Sequence, residues 1–110
     1  MENITFDDFK KLDIRVAEIM EASVIEGADR IFKLRINLGS EEREIVAGIK
    51  QHYNAEELIG KKIAVLANLE PRFIRGINSH GMLLAASTED KGQVTVLTPD
   101  RNIANGSKIA

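Results

Sequence analysis

The segment IFKLRINL (31–38) alternates without a break, with Phe32, Leu34, Ile36 and Leu38 on one side and Lys33, Arg35 and Asn37 on the other. Period-two patterning of this kind belongs to a strand with one face on a core and one in water. It also specifies register, because a slip of one residue would turn every apolar side chain to solvent. The GSEE stretch (39–42) supplies a turn, and REIVAGI (43–49) returns as the antiparallel partner. A hairpin that buries one face needs further strands to complete a core.

The rest of the chain offers them. DIRVAEIMEASVI (13–25) alternates at Ile14 and Val16 and then less strictly, which fits a long, bent strand. Helix is the competing assignment there, because Ala, Glu and Met favour helices. KKIAVLANL (61–69) and GMLLAAS (81–87) are short and nearly all apolar, so both are expected to be buried on two faces. EDKG (89–92) makes a turn, and QVTVLTP (93–99) is a late alternating strand closed by Pro99. Thr5 is an N-cap ahead of a short helix, FDDFKKL (6–12), with Phe6 and Phe9 on one side. NAEELIG (54–60) is a second, with Asn54 as N-cap, Glu57 completing a capping box and Gly60 ending it. Five or more short strands, with a small helix between the third and fourth, predict an all-β fold. The expected form is a five-stranded Greek-key barrel with short helices and a C-terminal extension. The length suits a single domain over 1–110.

Composition narrows the function classes. Apolar residues make up 44% and charged residues 29%, a globular balance. There is no cysteine, hence no disulfide framework, thiolate metal site or cysteine nucleophile. The acidic opening MENITFDDFKKLD lacks the apolar segment of a signal peptide, and no apolar run reaches the roughly 20 residues of a membrane span. A cytoplasmic domain without membrane contact is the expectation. His52 and His80 have no neighbouring ligand partners, Ser79 stands in no nucleophile elbow, and no glycine-rich loop has phosphate-cradling spacing. The sequence therefore predicts no catalytic residue, no metal and no cofactor.

The charge is unevenly spread. The net is −2, yet residues 30–88 carry nine bases against six acids, and no acid lies between Glu70 and Glu89. Lys33 and Arg35 share one strand face, while Arg72 and Arg75 sit in an irregular, corner-like stretch, NLEPRFIRGINSHGMLLAA (68–86). Scattered surface charge is the bland explanation. A small barrel whose strand face is basic also suits nucleic acid. Aromatics are only 5%, which favours phosphate and shape contacts over base stacking. Phe73 is expected to anchor the stretch beneath its arginines.

Four stretches carry a family resemblance: KLDIRVAEIMEASVIEGADRIFKLRINLG, REIVAGI, LIGKKIAVLANLEPRFIRGINSHGMLLAA and GSKI. They are similar to the structure-specific tRNA-binding domain appended to many methionyl-tRNA synthetases and to tyrosyl and phenylalanyl relatives. The same domain occurs as a small dimeric tRNA-binding protein and in the endothelial monocyte-activating polypeptide. The resemblance implies an OB-fold barrel, usually homodimeric, that grips the outer corner of tRNA without reading sequence and performs no catalysis. It assigns tRNA contact to Lys33, Asn68, Arg72, Arg75, Ser79 and Met82, and the basic strand face adds Arg35. Glu70 departs from the pattern, since many relatives carry Lys there. Arg15, also basic, is read as a structural ion pair. A dimer interface is expected where 1–12 and 93–110 meet, through Phe6, Phe9, Val94, Val96, Leu97, Ile103 and Ile109. The chain could serve as a free dimer or as a beta subunit docked on a methionyl-tRNA synthetase catalytic chain. A secretion-related, chaperone-type dimer that binds peptides is the alternative.

Overall fold

The computed structural model describes residues 1–110. In chain order its elements are α1 (Phe6–Lys10), β1 (Ile14–Val24), β2 (Phe32–Asn37), β3 (Glu42–Ala47), α2 (Ala55–Leu58) and β4 (Lys62–Leu66). Then come β5 (Arg72–Ile74), β6 (Ile77–Ser79), β7 (Met82–Leu83), β8 (Ala85–Ser87), β9 (Val94–Val96) and β10 (Lys108–Ile109). The order β3-β2-β1-β4-β7 makes an antiparallel sheet that curls into a nearly closed five-stranded barrel. At the seam the His80 amide donates to the Glu44 carbonyl at 3.1 Å, and the Val46 amide donates to Ser79 Oγ at 3.0 Å.

Segment 13–25 is the strand, not the helix. Its first half pairs with β4 and its second with β2, and the register shifts between Ile19 and Glu21. That bulge bends the strand and lets it serve two neighbours. Pairing on both sides outweighs the helix preference of its Ala, Glu and Met residues.

Ile19, Leu34, Ile36, Ile45, Leu58, Ile63 and Val65 form the fully buried centre, each contributing up to about 1.5–3 kcal/mol. Leu58 arrives from α2, whose entry is fixed by the Asn54 amide donating to Glu57 Oε2 at 2.7 Å. At α1 the Asp8 amide donates to Thr5 Oγ1 at 3.1 Å, and the Phe6 and Phe9 rings stack 6.3 Å apart.

Two expectations need correcting. GMLLAAS is not one doubly buried strand: it splits into β7 and β8, with Met82 and Ala85–Ser87 exposed. Barrel closure needs only the two residues of β7, and the chain then leaves to pair with β9. The stretch after Asn68 is not irregular either. Its middle, Arg72 to Ser79, is a tight hairpin in which Ile74 pairs with Ile77 across Arg75-Gly76.

The C-terminal tail closes over the barrel. Ser107 and Gly106 exchange backbone hydrogen bonds with Val16, and β10 continues along the start of β1. Lys108 and Arg15 both reach Asp13 Oδ1, at 3.2 and 2.9 Å. Arg15 thus makes the ion pair read from the sequence. Its hydrogen bond, ahead of that from Lys108, holds the Asp13 carboxyl below the usual carboxylate range against the opposing effect of burial.

Candidate nucleic-acid interface

The outer face of β2 is basic in sequence and compensated in space. Arg35 bonds Glu21 Oε1 at 2.9 Å and also pairs with Glu42, while Lys33 Nζ lies 3.7 Å from Glu44 Oε2. The Arg35 hydrogen bond, followed by its charge, pulls the Glu21 carboxyl below its ordinary range. Two cations are thus ringed by three carboxylates brought in by β1 and β3, and a phosphate would have to displace them.

The β5–β6 hairpin is different. Arg75 (φ 52°) and Gly76 (φ 81°) both occupy the left-handed region, the signature of a type I′ turn. An arginine in that region is strained by about 1 kcal/mol or more, a cost found preferentially at binding sites. Its guanidinium reaches back to the β1–β2 loop, within 3.5 Å of where a Cβ on Gly27 would lie. Neither Arg72 nor Arg75 forms an ion pair.

Beside the hairpin runs a cleft of about 600 Å³ between the end of β3 and β7–β8. Arg30, His52 and Lys91 stand on its wall with Met82, and none of its lining residues is acidic. Met82 also borders a smaller hollow with Arg72 and Glu70, so the cleft adjoins the hairpin on the Arg72 side. The sequence pointed to Arg72, Arg75 and Met82 but missed Arg30, His52 and Lys91. These come from three separate connections, and only barrel closure brings them together. His52 and His80 are half-buried.

The remaining candidates have structural work. Asn68 Oδ1 accepts the Asp13 amide at 2.9 Å and its Nδ2 donates to the Lys11 carbonyl at 2.7 Å, tying the end of α1 to the barrel. Ser79 is buried at the seam through its bond to Val46. Both position the hairpin between them, whatever else they touch.

A second, apolar groove of about 350 Å³ lies on another face, lined by Leu97, Pro99, Ile103 and Ile109 among others. Leu97 and Ile103 are exposed, as is Phe6, whereas Val96 is 7% exposed and belongs to the barrel's own core. Val94 packs against that core too. No set of acids, histidines or cysteines is placed to hold a metal ion, and no helix is long and apolar enough to cross a membrane.

Comparison with known proteins bears on this surface. The family model described as "Putative tRNA binding domain" matches residues 14–108. The chain is 50% identical over 110 residues to the methionine–tRNA ligase of Caldanaerobacter subterraneus, covering all of this chain and 17% of that enzyme. It spans less than a fifth of that relative. A MetRS-related protein from Pyrococcus horikoshii superposes with a TM-score of 0.94 at 35% identity, covering both chains completely. The CsaA chaperone protein of Picrophilus torridus superposes with a TM-score of 0.88 at 39% identity, over 98% of this chain and 100% of that one.

Proposed function

This chain belongs to the tRNA-binding domain family, and we propose that it is a non-catalytic module that grips the outer corner of folded tRNA through the hairpin and the adjoining cleft. The observation that carries the reading is four cations without an ion-pair partner: Arg30 and Lys91 on the wall of a cleft that has no acid, and Arg72 and Arg75 on the neighbouring hairpin, where Arg72 shares a hollow with Glu70. Phosphates supply what that surface lacks, and they carry no sequence information. Affinity should therefore fall as salt rises, with a slope of log affinity on log salt of roughly −3 for three or four neutralised phosphates. Fluorescence anisotropy of labelled tRNA at several salt concentrations measures it. Different tRNAs should bind within a few-fold of one another, and unstructured RNA of equal length far more weakly. A flat salt response, or equal affinity for unstructured RNA, refutes the proposal.

The likeness to methionine–tRNA ligases favours service as an accessory domain or beta subunit of methionyl-tRNA synthetase in the cytoplasm. A pull-down that fails to recover the synthetase from source cells would argue for a free-standing module.

We further propose a homodimer. Leu97, Ile103 and Ile109 converge on the apolar groove, and the exposed Phe6 at the other end of the chain adds a ring that one copy leaves in water. Two-fold pairing would cover this surface and double the number of tRNA-binding faces. Light scattering should give twice the single-chain mass of 12.2 kDa at micromolar concentration, and the single-chain value would refute pairing.

The chaperone likeness and the same groove favour a second reading, in which the groove holds an apolar peptide segment. Tight binding of apolar peptides with no measurable affinity for tRNA would select it.

A further inference from the structure

Phe73 does not anchor the hairpin. It is 80% exposed, and its cross-strand neighbour Asn78 is exposed with it on the outer face of β5–β6. The ring has no partner within the chain: the sole aromatic pair is Phe6 with Phe9, and the sole cation over a ring is Lys10 on Phe6. The other aromatics are occupied elsewhere. Phe32 is buried in the core, and the Tyr53 hydroxyl accepts the Val96 amide at 3.0 Å.

An uncovered phenyl ring is unfavourable in water, and this one is held still. The type I′ turn, the paired strands and the Ser79 bond to β3 fix the hairpin that presents it. Arg72 precedes it on β5 and turns its unpaired guanidinium to the other face of the hairpin, toward the hollow shared with Ser79 and Met82, and the unpaired Arg75 stands at the turn. A hairpin that carries an uncovered ring on one face and unopposed cations on the other face and at its turn suits RNA, with a nucleobase on the ring and phosphates at the guanidiniums. It does not suit an apolar protein pocket, which would have to desolvate both charges.

We propose that Phe73 is a stacking residue that takes one exposed nucleobase face of the folded RNA while Arg72 and Arg75 hold phosphates of the same RNA. This rests on the tRNA-binding reading above and adds a contact that electrostatics alone does not provide. Every base has a π-face, so a single ring brings no sequence preference. A folded RNA presents few unstacked bases, so the ring selects a place on the fold. The scarcity of aromatics in the sequence is compatible with this, since one suffices.

The chain contains no tryptophan, so Phe73→Trp places a single fluorescent reporter at the site. Phe73→Leu keeps an apolar side chain and removes the π-face. The leucine variant should bind tRNA roughly five-fold or more weakly at constant salt, with an unchanged salt slope. The tryptophan variant should bind at least as tightly as the parent, and tRNA should quench its emission. Parental affinity in Phe73→Leu, or emission indifferent to tRNA, overturns the stacking role while leaving the tRNA reading intact. A fall in solution mass in Phe73→Leu also overturns it, by making the ring a contact between copies. A parent chain without tRNA affinity sinks the functional reading itself, and the stacking role with it.

Discussion

Gly106→Ala should destabilise the domain by about 2–4 kcal/mol, from left-handed strain plus a backbone collision. Gly106 has φ +86°, and a Cβ there would lie 2.3 Å from the Leu38 carbonyl oxygen. Facing it, Gly39 has φ +88°, and its Cβ would lie 2.6 Å from the Asn105 oxygen. The tail thus crosses the β2–β3 turn with two glycine backbones in contact and no side chain that could move aside. Accommodating a methyl means lifting the tail, which breaks the 2.7 Å hydrogen bond from the Gly106 amide to the Val16 carbonyl and loosens β10. At about 4–8 °C per kcal/mol for a domain near this size, the midpoint of thermal unfolding should fall by at least about 8 °C. Gly60→Ala is the control, because Gly60 has φ +88° with nothing within 4 Å of the added carbon. It carries strain without collision and should cost only about 1–2 kcal/mol. Equal melting of the two variants would show that the crossing adds nothing.

That crossing was not legible in the sequence, although much around it was. The alternation from Phe32 to Leu38 gave β2 and the faces of its residues, because period two has one reading when apolar and polar positions never trade places. Thr5, Asn54 and Glu57 marked both helix starts, since capping chemistry is local. What the sequence could not supply was pairing between distant segments. Lys33 and Arg35 looked like a free basic face because Glu21, Glu42 and Glu44 become their partners only once strand register is set. Asn68 was singled out only as a tRNA contact, because its bonds go to Lys11 and Asp13, more than 50 positions earlier. The hairpin turn escaped for a different reason. Type I′ turns are signalled by Asn-Gly or Asp-Gly, and Arg75-Gly76 puts a residue with no left-handed preference in the first place. Phe73 was expected to anchor its stretch, and a strand of three residues is too short for alternation to show that it faces water.

Arg72→Ala should weaken tRNA binding by roughly ten- to a hundred-fold, the equivalent of one hydrogen-bonded charge contact. Arg72 follows Pro71, whose fixed φ stiffens the approach, and lies opposite Ser79, which is itself bonded to β3. A guanidinium mounted this way loses little freedom on meeting a phosphate, and its planar fork can hold two oxygens at once. No carboxylate competes for it within ion-pair distance. Arg35 has the same chemistry and the opposite circumstances, clasped by Glu21 and Glu42. Arg35→Ala should therefore reduce affinity much less than Arg72→Ala. The Arg72 effect should be about equal for all tRNAs and should flatten the salt slope by about one unit, as the loss of one phosphate contact requires. Stability should move by roughly 0.5 kcal/mol or less, because the side chain is exposed and belongs to no network. Anisotropy titrations and thermal melts on the two variants separate these terms. If Arg72→Ala melts early while the folded fraction binds tRNA normally, the arginine serves the hairpin. If Arg35→Ala costs more affinity than Arg72→Ala, the RNA lies across β2, and the carboxylates there give way to phosphate.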